Sequence, residues 1–122
     1  MKTQVLIVDD LSFVRKAIRS SLENAGFSIA GEAENGYECI RLLREKQPDI
    51  ILLDITMPGP DGLTVLQKIT SEFQNVKVIM CSALGQDKYI VKAIQLGAKD
   101  FVVKPFSSER IVSAVNKVAS LG

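Results

Sequence analysis

Short, wholly apolar runs alternate along this chain with longer stretches in which apolar residues recur every three or four positions. Ile50-Ile51-Leu52-Leu53, flanked by Asp49 and Asp54, reads as a strand covered on both faces, the kind found at the centre of a parallel sheet. Val5-Leu6-Ile7-Val8 has the same character and runs directly into Asp9-Asp10. Val14, Ala17, Ile18 and Leu22 form a helical stripe behind Ser12, a candidate N-cap, and Gly26 is placed to end it. Residues 27–33 make a weaker strand, expected at a sheet edge. Asn35-Gly36 turns the chain, and Tyr37, Ile40 and Leu43 mark a second helix. That helix should stop before Gln47-Pro48, because proline pushes the residue before it out of the helical region.

Beyond Asp54, residues 56–62 hold two prolines and two glycines and form a loop, with Asp61 placed to cap the next helix. Leu63, Leu66, Ile69 and Phe73 carry that helix, and residues 76–81 form a strand ending at Ser82. Ile90, Ala93 and Ile94 mark a fourth helix closed by Gly97, and residues 99–103 a fifth strand ending in Lys104-Pro105. The last helix starts near Ser107 and places Ile111, Ala114, Val115 and Val118 on one face. Strand and helix thus alternate five times without a repeat or linker, so the 122 residues are expected to form one α/β domain. Its architecture would be an open parallel sheet with helices on both faces and right-handed crossovers.

In such sheets ligands bind in the crevice outside the carboxyl ends of the strands. Four of the five predicted strands end in polar groups there: Asp9 and Asp10, Asp54, Ser82, and Lys104. Singly, each suits a cap, a turn or a surface ion pair. Together, on one rim, they make a site. Two carboxylates about 5 Å apart repel by roughly 3 kcal/mol at an effective dielectric near 20, so the cluster calls for a cation. Oxygen donors without Cys or His suit Mg²⁺. A lysine and a hydroxyl opposite suit phosphoryl oxygens, and a carboxylate can itself accept a phosphoryl group.

Composition removes several other classes. Fifteen basic and 14 acidic residues leave a net charge of +1, which gives no general attraction to nucleic acid or to an anionic membrane. The apolar runs are too short for a signal-peptide core or a membrane span, so a cytoplasmic protein is expected. The chain has no histidine, which excludes His-based acid/base catalysis from its own residues. Cys39 and Cys81 have no metal or redox spacing and read as small buried hydrophobes.

Asp9-Asp10, Asp54 followed by Met57-Pro58 and Asp61-Gly62, Ser82-Ala83, and Lys104-Pro105-Phe106 resemble, in order and spacing, the motif set of response-regulator receiver domains. The resemblance covers the whole chain. Ile79-Met80-Cys81-Ser82-Ala83 and the segment from Gly97 to Phe106 are further similar to stand-alone chemotaxis regulators, the CheY-like proteins of the Gram-positive and Thermotoga type. The family implies a flavodoxin-like (βα)5 doubly wound sheet of order 2-1-3-4-5. It implies Asp54 as phosphoacceptor, and Asp9, Asp10, Asp54 and the backbone carbonyl of Thr56 as the Mg²⁺ site. Ser82, Ala83 and Lys104 would receive the phosphoryl group, Phe101 would be the switch aromatic, and Thr56 and Leu84 would tune dephosphorylation. The Lys104-Pro105 bond is usually cis in the family. Two departures stand out: Phe101 replaces a Tyr of the enteric chemotaxis proteins, and Ser82 replaces the commoner Thr, losing β-branching at that rotamer.

The implied protein is a monomeric switch rather than an enzyme acting on a separate substrate. Its expected partners are a histidine kinase, a flagellar motor switch protein and a phosphatase, with no nucleic acid and no membrane. The surface that changes would lie around Phe101, beside the helices carrying Ile90 and Ile111. A receiver serving a phosphorelay or regulating another enzyme is the alternative. A small Asp-nucleophile phosphohydrolase would need a D-x-D pattern after the first strand, which Asp9-Asp10-Leu11 lacks. A nucleotide-binding module would need a Gly-rich turn at that place, where Asp10-Leu11-Ser12 offers none. A DNA-binding regulator would need an output domain after residue 122, and none is expected.

Overall fold

A computed structural model describes residues 2–83 and 85–121. The elements run β1 (Gln4–Val8), α1 (Ser12–Asn24), β2 (Ser28–Ala33), α2 (Gly36–Lys46), β3 (Ile50–Asp54), α3 (Gly62–Glu72), β4 (Lys77–Ser82), α4 (Asp87–Gln95), β5 (Asp100–Val103) and α5 (Ser108–Ala119). The five strands form one sheet in the order β2-β1-β3-β4-β5, with every pair parallel. This is the flavodoxin-like doubly wound arrangement the motifs imply.

Successive residues of a strand point to opposite faces, so the apolar runs serve two cores at once. Leu6, Val8, Ile51, Leu53 and Met80 pack on one face with Leu43 of α2, Leu66 and Ile69 of α3 and Ala93 of α4. Val5, Ile7, Ile50, Leu52 and Ile79 pack on the other with Ile18 and Leu22 of α1 and Ile111, Val115 and Val118 of α5. All five residues of β3 are buried, which accounts for its lack of polar alternation. β2 is an edge strand, as its weaker pattern suggests, and it carries an irregularity where the register slips between Val5 and Leu6.

The helix ends mostly follow the sequence. Asp61 Oδ1 accepts the Thr64 N–H, Asn35 the Glu38 N–H and Ser107 Oγ the Arg110 N–H, while Gly26 and Gly97 end α1 and α4 at positive φ. Ser12 does not cap α1. It is the first helical residue, and Leu11, with the extended backbone a cap position needs, stands before it without a side-chain bond. The Leu11 N–H is instead taken by Asp9 Oδ1 at 2.9 Å. Gln47 leaves the right-handed region as expected before a proline, but it enters the left-handed one at φ 48° rather than the extended one, and its N–H bonds back to Leu43 O. The Lys104–Pro105 peptide is cis. Cys39 and Cys81 are free and buried, and burial pushes both thiols up to about 12. Among the described residues no helix is long and apolar enough to cross a membrane.

Candidate functional site

Hydrogen bonds carry the sheet ladder just past the strand ends and so fix the rim. Asp9 N–H bonds Ala33 O, Ile55 N–H bonds Cys81 O, and Lys104 N–H bonds Ser82 O at 2.7 Å. The last two set the ends of β3 and β4 and the residue after β5 side by side, and the pairing of Val8 with Leu53 brings the end of β1 next to β3. Arg15 of α1 adds a bond from Nη1 to the Asp9 carbonyl.

Three carboxylates and one ammonium meet at this rim. Carboxylate oxygens of Asp9, Asp10 and Asp54 lie within 4.8 Å of one another, with Asp9 and Asp54 buried and Asp10 exposed. Lys104 Nζ reaches Asp9 Oδ2 at 2.7 Å and Asp54 Oδ2 at 3.2 Å. The other oxygen of Asp54 accepts the Thr56 N–H at 3.3 Å. Burial, with only 6% of Asp54 exposed, raises its carboxyl to about 6; Lys104 opposes that shift and Asp9 adds to it. Burial works against the Lys104 charge as well, yet its hydrogen bond to Asp9 and the attraction of both carboxylates hold the ammonium above its ordinary value.

An all-oxygen set with one exposed member and one compensating ammonium fits a hard divalent cation such as Mg²⁺. Ser82 is fully buried at the end of β4, and among the described residues its Oγ has no hydrogen-bond partner. A buried hydroxyl without a partner is costly, so its presence here suits a site that receives an acceptor from outside. Thr56 is exposed on the loop after β3, and Ala83 is exposed just beyond Ser82. Leu84 lies outside the described residues.

Phe101 sits on β5 in register with Met80 and is half-buried. It lines an apolar groove of about 500 Å³ with Ile90, Val91 and Ile94 of α4 and Val103. Val91 and Ile94 are exposed there. Arg110 of α5 donates from Nη2 to the Phe101 carbonyl at 2.8 Å.

Two features at the rim have no counterpart in the sequence pattern. Gln86 bridges the loops on either side of the site: its Oε1 accepts the Ala83 N–H at 2.6 Å, and its Nε2 donates to Thr56 Oγ1 at 3.0 Å. A lone glutamine in a loop gives no periodic or spacing signal. At Gly62 an added Cβ would overlap the Asp54 carbonyl oxygen and come within 2.6 Å of Ile55 Cα, so only glycine lets α3 begin this close to the end of β3. Asp61-Gly62 is visible as a motif, but the close approach behind it is not.

Residues 5–116 match the family model of the response regulator receiver domain. The chain is 45% identical to the chemotaxis protein CheY of Thermotoga maritima, over 98% of this chain and 99% of that protein. It is also 45% identical to CheY of Bacillus subtilis, over 96% and 98%. Among solved structures, the receiver domain of NtrX from Brucella abortus matches with a TM-score of 0.92 at 28% identity, covering 97% of this chain and 99% of that one. Matched from β1 through most of α5, the chain belongs to the response regulator receiver domain family.

Proposed function

We propose that this receiver is a phosphorylation-controlled switch in chemotaxis. Asp54 accepts a phosphoryl group from the phosphohistidine of a kinase, and the phosphorylated form binds a flagellar motor switch protein through the groove beside Phe101. The observation that carries the reading is a buried carboxylate at the end of β3 with an ammonium 3.2 Å away and two further carboxylates within 4.8 Å. The donor histidine belongs to a partner, because this chain has none.

The chemistry follows from placement. Asp54 attacks phosphorus in line, the phosphorus–nitrogen bond to the donor imidazole breaks, and an acyl phosphate remains on Asp54. Asp9, Asp10, Asp54 and the Thr56 carbonyl would hold Mg²⁺, which when bound would supply positive charge to offset that of the transferring oxygens. Lys104 then pairs with one phosphoryl oxygen, and the unpartnered Ser82 hydroxyl and the Ala83 N–H bond others. Drawing Ser82 toward the site opens space for Phe101 to turn inward and reshape the groove. The chain acts as one cytoplasmic domain and resets when the acyl phosphate is hydrolysed, with or without a phosphatase.

The names of the relatives support the chemotaxis part: the Thermotoga and Bacillus proteins are chemotaxis proteins. Intact-mass measurement with a small phosphodonor tests the chemistry. One phosphoryl group per chain is expected with Mg²⁺ and none without, and labelling of Asp54→Asn to the unaltered extent would overturn the assignment. Titration of a motor switch segment with beryllofluoride-activated and unmodified protein tests the output. An affinity gain of about 5- to 150-fold is expected, the usual range of such coupling, and equal affinity would reject the switch.

A further inference from the structure

The hydrogen bonds around Asp54 continue across the mouth of the site. Thr56 N–H reaches Asp54 Oδ1, Thr56 Oγ1 accepts from Gln86 Nε2, and Gln86 Oε1 accepts the Ala83 N–H. Three bonds thus join the end of β3 to the tip of β4. Gln86 stands at the N-cap position of α4, yet its side chain makes no cap bond to that helix. It turns back over the loop instead. The Ala83 bond alone would be local loop closure, but the bond to Thr56 spans 30 positions of sequence and ties two separate loops.

We propose that Gln86 is a positioning residue that latches the resting state, its carboxamide occupying the Ala83 N–H that an oxygen of the anion on Asp54 would otherwise receive. The inference rests on the reading of Asp54 as phosphoacceptor. One N–H cannot serve two acceptors at full strength. An anionic oxygen is the stronger acceptor, so it displaces the neutral carboxamide, but it must first break that bond. Release has somewhere to lead. Beside the latch lies a cleft of about 170 Å³ lined by Met57, Asp61, Gln86 and Tyr89, which can take the freed side chain. Gln86 also directly precedes Asp87, the first residue of α4, and Asp87 and Ile90 line the groove beside Phe101. Letting go of Gln86 therefore loosens the end of the helix that forms the groove.

The test measures beryllofluoride affinity in the presence of Mg²⁺ by fluorine NMR, together with hydrogen exchange at the Ala83 amide. Gln86→Ala should tighten beryllofluoride binding about 5-fold, the worth of one neutral hydrogen bond, and should speed exchange at Ala83. Thr56→Val keeps the backbone carbonyl and removes only the hydroxyl anchor, and should tighten binding about 2-fold. A merely structural glutamine would give the opposite sign, since loosening the loop would weaken a bound anion. Unchanged or weaker binding in Gln86→Ala would overturn the latch, as would unchanged exchange at Ala83. If the unaltered protein bound no beryllofluoride, the Asp54 reading would fall and the competition with it, whatever Ala83 exchange showed.

Discussion

Lys104 lies closer to Asp9 than to Asp54, with its Nζ 2.7 Å from one carboxylate and 3.2 Å from the other. Asp9 is the more deeply buried of the two, at 2% exposure against 6%. The ammonium is therefore anchored by a carboxylate other than the proposed acceptor, and the bond to Asp54 can be given up without setting the lysine adrift.

Replacing that lysine should be costly in the absence of metal. Lys104→Met leaves two buried carboxylates without their cation, and removal of one member of a buried charge cluster typically costs about 3–5 kcal/mol. Mg²⁺ should restore a large part of the loss, because it replaces the missing charge. Urea denaturation with Mg²⁺ and with chelator checks this, and an equal loss in both conditions would show that the ammonium is not neutralising the cluster.

The Asp54 carboxyl, raised to about 6 mainly by burial, makes a signed prediction for pH. In the unfolded chain an aspartate titrates near 3.9. Between about pH 4 and 6 the folded protein holds a proton that the unfolded chain has released, so stability falls as pH rises through that window and the penalty is complete above it. Asp54→Asn removes the penalty. The metal-free variant should be more stable than the unaltered protein by ~2 kcal/mol at pH 7.5 and nearly equal to it at pH 4. A constant difference across that range would contradict the burial of a carboxylate at this position.

Ser82→Ala should separate binding from stability. The hydroxyl is buried with no partner among the described residues, so its removal should change folding stability by less than ~0.5 kcal/mol or raise it slightly. Beryllofluoride affinity should nevertheless drop roughly 10-fold, as expected for a hydrogen bond to a charged group. A clear loss of folding stability would mean that the hydroxyl has a resting partner after all.

Asp10 is the exposed member of the carboxylate group. Asp10→Ala should weaken Mg²⁺ binding by 1–2 orders of magnitude while leaving the Lys104 bonds to Asp9 and Asp54 in place. Calorimetric titration with Mg²⁺ measures this, and an unaltered affinity would remove Asp10 from the ligand set.

The strand ends were legible because burial and chemistry reinforce one another there. Val5 to Val8 and Ile50 to Leu53 are apolar at every position since both faces are covered, and the polar residue that follows each run marks where cover ends. The N-terminal helix caps were legible only where a side chain does the capping, as at Asp61. At α1 the carboxylate of Asp9 serves the loop from two residues away, and Ser12 looked better placed than it is. Gln86 and the left-handed Gln47 escape notice for a common reason: each depends on where another segment of the chain happens to lie.

Gly62 donates its N–H to the Ile55 carbonyl at 2.7 Å and leaves no room for a Cβ against the end of β3. The segment from Asp54 to α3 is thus a belt drawn through a buckle, and the Thr56 carbonyl hangs at a fixed point along it. Extra residues let into the outer edge of the belt, near Pro58 and Gly59, should be absorbed there, since lengthening a surface loop costs little. A single methyl at the buckle, by contrast, would shift every group the belt carries. The loop is therefore tolerant in length and bound at one atom.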